Sequence, residues 1–269
     1  MGGKAMITFE HDGVLVRFDE TGVDRDRPGL IHGALLKNHF YEERFLRYIH
    51  SLGLSGTYVD IGAFVGTHTV FFGRICNADK VHSFEPRPPV YARLESNVAL
   101  NGLTDVVVAH QMALTDRDCE VTLDFGDGVY VVPGRRLDDV VREKVVVIKI
   151  DVEGMEPSVL RGARRLLRRS RPVVFAEATT DEHHEALVAA MRKLRYEPTG
   201  RVFNASPTYE FAHRADRRFH SVEVQRLRRW NRLAASPVGR AAKQLMPASV
   251  RRVRRAVKRR IAAAAKPSG

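Results

Sequence analysis

Cysteine is nearly absent from this chain of 269 residues: Cys76 and Cys119 are the two it has, with neither metal-ligand spacing nor the density of a disulfide framework. Both read as buried free thiols, which suits a reducing compartment. Long apolar runs are missing too. No stretch approaches the roughly 18 residues needed to span a bilayer, and the N-terminus meets Glu10, His11 and Asp12 too early to form a signal-peptide core. A cytoplasmic protein is the expectation. No internal repeat is visible.

Negative charge is scarce in one region and not in the other. The formal net charge is +12, but from His213 onward 17 Lys+Arg face 2 Asp+Glu, leaving 27 against 30 before it. The body is close to neutral and the excess belongs to an appendage, not to a basic cleft. The body also lacks a basic stripe with interleaved aromatics, the mark of a nucleic-acid surface. With 44% hydrophobic and 28% charged residues the composition is that of a soluble globular protein, either one large α/β domain or two small ones.

Polarity alternates over residues 5–9 and 14–18 around His11-Asp12-Gly13, which predicts a hairpin, expected to extend the main sheet, followed by a Gly/Pro/Asp-rich connector. Phe45, Leu46, Ile49 and Leu52 recur at helical spacing within 41–52, closed by Gly53 and Gly56. After Gly56, short apolar runs alternate with amphipathic stretches, as parallel strands joined by crossover helices require. The expected strands are 57–61, 80–84, 106–110, 145–150 and 172–176, with helices at 66–76, 89–101, 157–169 and 181–194. Residues 120–124 and 129–132 predict an extra hairpin across Gly126-Asp127-Gly128, and 196–203 and 208–213 predict antiparallel edge strands. The fold class is α/β, a doubly wound, mostly parallel sheet. The last 56 residues turn Arg- and Ala-rich, with Val250, Val253, Val257 and Ile261 forming a narrow apolar stripe on a helix.

Residues 58–66, YVDIGAFVG, read as a strand ending in Asp60, then a glycine-bearing turn through Gly62 and Ala63, then a helix opening at Gly66. Ligands bind at such a turn at the carboxyl edge of a doubly wound sheet. Gly62 would let the backbone approach a ligand, and Gly66 would let the helix lie close to the strand. The D-x-G-x-x-x-G spacing is not the G-x-G-x-x-G of pyrophosphate binders, and Asp60 suits a cationic sulfonium better than a phosphate. Alone, the motif leaves a dinucleotide enzyme or an ordinary tight turn open. Glu85 ends the next strand 25 residues later, where a carboxylate can accept hydrogen bonds from ribose hydroxyls. Ala113 and Asp116, after the third strand, stand where an adenine edge would lie.

The run Lys149-Ile150-Asp151-Val152-Glu153-Gly154-Met155-Glu156 brings a strand into a cluster of acids. Period-two alternation puts Lys149 and Asp151 on one face, opposite Ile150. Transfer of a methyl group to a hydroxyl needs in-line alignment and removal of a proton, so Asp151, helped by Lys149 and Glu153, is the expected anchor or base. Glu156 is either substrate-side or a favourable charge at a helix start, and Glu177 ends the next strand on the same edge. Asp151, Glu153 and Glu177 also permit a Mg²⁺ reading, but no spacing rule compels it, and no metal is expected. Residues 181–185, DEHHE, read as a solvated helix start, and His68 as structural.

The stretch from about 41 to 177, half of the chain, resembles the FkbM family of S-adenosylmethionine-dependent methyltransferases. The resemblance rests on VDIGAFVGTHT at 59–69, FEPRPPVYARLESNVALNG at 84–102, Leu137-Asp138-Asp139, and VIKIDVEGMEPSVLRGARRLL at 147–167, in the family's order. It implies a class I fold with a seven-stranded sheet, and O-methylation of small molecules such as polyketides, sugars or lipid-linked glycans. It carries over Asp60, Gly62, Gly66, Glu85 and Asn97 as cofactor positions and Asp151, Glu153 and Glu156 as an acidic signature. The expected organisation is an extension over 1–56, the methyltransferase domain over 57–212 and a basic tail over 213–269. The tail is read as disordered, as docking to anionic membrane, or as gripping nucleic acid in an RNA-modifying protein.

Overall fold

The computed structural model describes residues 6–21, 25–26, 29–152, 154–217 and 225. Glu153 and the apolar stripe of the basic tail lie outside the described residues, and so do the readings that rest on them.

The N-terminal hairpin is β1 (Met6–His11) and β2 (Val14–Asp19), followed by α1 (Gly29–Leu35) and α2 (Glu43–Ser51). Next come β3 (Thr57–Ile61), α3 (Thr67–Arg74), β4 (Lys80–Phe84), α4 (Pro88–Leu100) and β5 (Val107–His110). An insertion supplies β6 (Ala113–Leu114), β7 (Cys119–Asp124) and β8 (Val129–Arg135), which pair as a small sheet of their own. The chain returns through α5 (Leu137–Val140), β9 (Val145–Ile150), α6 (Glu156–Gly162), α7 (Arg164–Ser170) and β10 (Val173–Glu177). It closes with α8 (Asp181–Lys193), β11 (Tyr196–Phe203) and β12 (Thr208–His213).

The main sheet has seven strands in the order β11-β12-β10-β9-β3-β4-β5. The pairs from β5 through β10 are parallel, and β12 runs antiparallel between β10 and β11. This is the expected class I architecture, with β11 and β12 as the antiparallel pair at one edge and β12 between β10 and β11. Side-chain alternation divides the core. Tyr58, Val81, Val147, Val173 and Phe175 face the layer of α2, α3 and α4, while Val59, Ile61, Ile148, Ile150 and Val174 face the layer of α5 to α8.

Three expectations need correction. The N-terminal hairpin does not join the main sheet; it forms a separate two-stranded sheet. Phe9 and Phe18 meet Phe40 edge-on, and Phe40 meets Phe71 of α3 in the same way. Burial of each such ring contributes about 1.5–3 kcal/mol, which holds the hairpin on the α3 side. The connector after it contains α1, which its Gly/Pro/Asp content concealed. The helix expected over 157–169 is two helices, α6 and α7, that break at Ala163. At the break the Asp138 carboxylate accepts from Arg165 N (2.9 Å) and Leu166 N (2.7 Å), satisfying two N–H groups of the first turn of α7.

Candidate active site

Winding reverses between β3 and β9, and in open α/β sheets ligands bind in the crevice beyond the carboxyl ends of the strands at that point. Here the face that is apolar lower in the sheet turns polar. Asp60 on β3, Ser83 and Glu85 at the end of β4, Lys149 and Asp151 at the end of β9, and Glu177 on β10 share the side facing α2 and α3.

Lys149 joins these groups. Its buried ammonium donates to Gly62 O at 2.8 Å and lies 3.4 Å from Asp60 Oδ1 and 3.5 Å from Asp151 Oδ2. Burial works against its charge, but Asp60, Asp151 and Glu42 together outweigh that and hold its pKa above the ordinary lysine value. Asp60 is wholly buried, and its Oδ2 accepts from Thr69 Oγ1 (2.8 Å), which also contacts Ser83 Oγ (2.8 Å). Asp60 is therefore no wall of a ligand pocket. It acts through Lys149 and Thr69.

Gly62 has φ +75°, and a Cβ there would lie 1.8 Å from the Asp151 carbonyl oxygen. The close approach this glycine permits is that of the β9 backbone. Gly66, with φ +85°, is pressed against Leu94 of α4 and not against the strand. Asn97, nearly inaccessible, donates to Val65 O (2.7 Å) and accepts from Asp19 N (2.6 Å). It clamps the 61–66 turn to α4 and the hairpin. Asn101 extends the clamp by bonding Arg17 N and O. Asn97 thus shapes the turn from behind.

Glu85 stays on the crevice side. Its Oε2 accepts from Phe64 N (3.0 Å) and its Oε1 from Arg87 N (2.9 Å). Each carboxylate oxygen has a second lone pair, so the group retains acceptor capacity for a ligand's hydroxyls. Burial raises its pKa, partly offset by those two N–H groups. Ala113 is buried on β6 beside Gly134. Asp116 is engaged elsewhere, its Oδ2 2.8 Å from Arg161 Nε within a groove of arginines, so the adenine role expected of its side chain has no support.

On the other side, Asp151 and Glu177 form a hydrogen-bonded acid pair. Burial, the hydrogen bond and the neighbouring Asp151 charge push Glu177 up to about 9, so it keeps its proton at neutral pH. Burial would raise Asp151 as well, but Lys149 and the bond to Glu177 hold it below the usual carboxylate value. Glu156 does not point to a substrate. Its buried carboxylate accepts from Val152 N and Gly154 N, both at 3.2 Å, and so fastens the loop after β9.

Tyr41 and Glu42, expected as the first residues of a helix over 41–52 and not as site residues, enter from the turn before α2. Burial raises Glu42 to about 7, and Tyr41 is raised to about 12 by burial and then by Glu42. Glu42 has φ 57°, a left-handed backbone that puts its side chain beside Lys149, 3.4 Å from His68 Nε2. His68 is buried, and burial and then Lys149 lower it to about 4, leaving it neutral. No cluster of three or more metal-ligating side chains occurs among the described residues. No helix among them is long and apolar enough to cross a membrane.

The family model described as the methyltransferase FkbM domain matches residues 60–198. No curated protein matches the chain by sequence. Among solved structures, the chain is similar to methyltransferase FkbM from Methylobacillus flagellatus KT, at 20% identity and a TM-score of 0.48, over 60% of this chain and 44% of that one. It is also similar to a precorrin-6y C5,15-methyltransferase from Geobacter metallireducens GS-15, at 18% identity and a TM-score of 0.43, over 64% of this chain and 87% of that one. A third is a SAM-dependent O-methyltransferase from Thermotoga maritima, at 12% identity and a TM-score of 0.41, over 63% and 64%. The chain thus spans less than half the length of the Methylobacillus protein.

Proposed function

Because this chain belongs to the FkbM methyltransferase family, we propose that it is an S-adenosylmethionine-dependent O-methyltransferase acting on a hydroxyl of a small molecule, sugar or lipid-linked glycan. The observation that carries the reading is the buried Lys149, which ties the Gly62 carbonyl to the acids beside it at the point where the sheet reverses. S-adenosylmethionine, when bound, supplies an electrophilic methyl group. Glu85 would hold its ribose hydroxyls with the lone pairs left over from Phe64 N and Arg87 N, and the backbone of Gly62 and Ala63 would face the rest of it.

The acceptor hydroxyl must be held in line and must lose a proton. Asp151 is partly accessible and kept anionic by Lys149 and by the proton on Glu177, so it accepts a hydrogen bond from the hydroxyl and orients it. Glu42, at about 7, is better matched to receive the proton at neutral pH, since a base serves best when its pKa lies near the working pH. Tyr41 lies next to it and closes that side. The donor and acceptor halves meet across one lysine.

The test is calorimetric titration of the full chain with S-adenosylhomocysteine, followed by incubation with a labelled methyl donor and hydroxylated extracts. We expect micromolar binding and alkali-stable label on an ether oxygen. Absence of binding up to millimolar ligand would remove the methyltransferase assignment from this site, and label on nitrogen or carbon would remove the O-methylation.

A further inference from the structure

Away from the crevice, on the flank formed by α6, α7 and the segment after β6, lies a groove of about 600 Å³. Six arginines line it: Arg117, Arg136, Arg161, Arg164, Arg165 and Arg168, with Asp116 and Asp138 as its acids. No lysine, aromatic or aliphatic side chain is among the lining residues. That concentration stands out in a body that is otherwise close to neutral.

The acids are already committed. Asp116 pairs with Arg161 at 2.8 Å. Asp138 spends both oxygens on Arg165 N and Leu166 N. Asp139, just behind, takes Arg136 Nε on one oxygen and Arg165 on the other, both at 2.6 Å. Among the described residues no carboxylate lies within ion-pair distance of Arg117, Arg164 or Arg168, all exposed. The placement of Arg164 is also locally unfavourable: it opens α7, where a cation opposes the helix dipole, and it lies four residues from the like charge of Arg168 on one face. Arg168 in the last turn has a local benefit, and Arg117 gains some from the charge of Asp116; Arg164 has none.

A concave lining of six arginines and two committed acids, with surplus positive charge, fits the planar, bidentate recognition of phosphoryl oxygens. The lack of aliphatic and aromatic side chains in the lining does not suit a nucleobase or acyl chain. We propose that this groove binds a compact polyphosphoryl group, such as a free di- or triphosphate or the multiply phosphorylated part of a small molecule, with Arg117, Arg164 and Arg168 as its main ligands.

The test uses the full chain and inorganic triphosphate, titrated calorimetrically at 0.1 M salt. A control variant, R254Q/R255Q, removes the same charge from the basic 213–269 stretch. The proposal expects one-site binding at least tenfold weaker in R164Q/R168Q, within twofold of wild type in R254Q/R255Q, and at least tenfold tighter than sulfate binding. Arg117→Gln, outside any helix, gives the same readout should the double variant unfold. Equal losses in the groove and control variants, or sulfate bound as tightly as triphosphate, would reduce the groove to a patch of nonspecific charge and overturn the proposal. Phosphatidylglycerol vesicles or an RNA oligomer whose retention depends on Arg164 and Arg168, with no triphosphate binding, would also overturn it, in favour of a membrane or nucleic-acid surface.

Discussion

The two sides of the crevice are held by different means. On the β3–β4 side, polar side chains are tied to backbone: Glu85 to Phe64 N and Arg87 N, Asn97 to Val65 O and Asp19 N. On the β9–β10 side, ionisable groups are tied to one another, through Asp151, Glu177, Lys149 and Glu42. The first arrangement fixes shape. The second stores protons, and its state changes with pH. A site that holds one ligand rigidly and handles a proton from another needs both.

Four variants test that contrast, in descending order of effect. Lys149→Met strikes both sides, because it leaves the buried Asp60 carboxylate without its cation. Losing one partner of a buried pair costs about 3–5 kcal/mol, so urea unfolding should shift strongly downward and methyl transfer should vanish. An unchanged midpoint would mean that the two sides do not share this pin. Glu85→Ala strikes the donor side alone. Loss of hydrogen bonds to a charged acceptor, about 1.5–3 kcal/mol, should weaken S-adenosylhomocysteine about tenfold to a hundredfold, with undiminished affinity removing the ribose assignment.

Glu42→Gln strikes the acceptor side alone. Methyl-transfer rate should fall about tenfold to a thousandfold, the order of general-base contributions, while S-adenosylhomocysteine affinity stays as it was. In the wild type the rate should rise with pH up to about 7, where Glu42 loses its proton. A wild-type profile flat from pH 5.5 to 8 would take Glu42 out of the reaction.

Glu177→Gln is the mildest. The folded protein holds the Glu177 proton up to about 9, whereas the unfolded chain releases it near the ordinary value of 4.5. Between those values the native state binds more protons than the unfolded state, so this group's contribution to stability falls as pH rises. The glutamine variant cannot lose that proton, and its melting temperature should decline less from pH 5 to 9 than the wild type's. Parallel declines would show that Glu177 titrates normally.

Much of the structure of the β3–β4 side was legible in the sequence because it is written in local grammar. An apolar run, Asp60, then Gly62 and Gly66 announce a strand, a turn and a helix within ten residues, and Glu85 repeats the logic one strand later. What could not be read was which neighbour each glycine makes room for. Gly62 meets the Asp151 carbonyl, 89 positions along the chain. The β9–β10 side was half legible: period two placed Lys149 with Asp151, but the helix expected over 41–52 starts at Glu43, and Glu42 reaches Lys149 as the left-handed residue just before it, which periodicity does not show. Asp116 and Glu156 show what sequence leaves hidden. Each carboxylate is spent on a nearby donor, Asp116 on Arg161 and Glu156 on the N–H groups of Val152 and Gly154, and sequence does not name the partner.

The contact between Gly62 and the Asp151 carbonyl works as a gauge block. It sets the spacing of the β3 and β9 ends by direct backbone contact, with no side chain in between to be lengthened or shortened by mutation. Residues on either rim can therefore change without altering the span between the two rims.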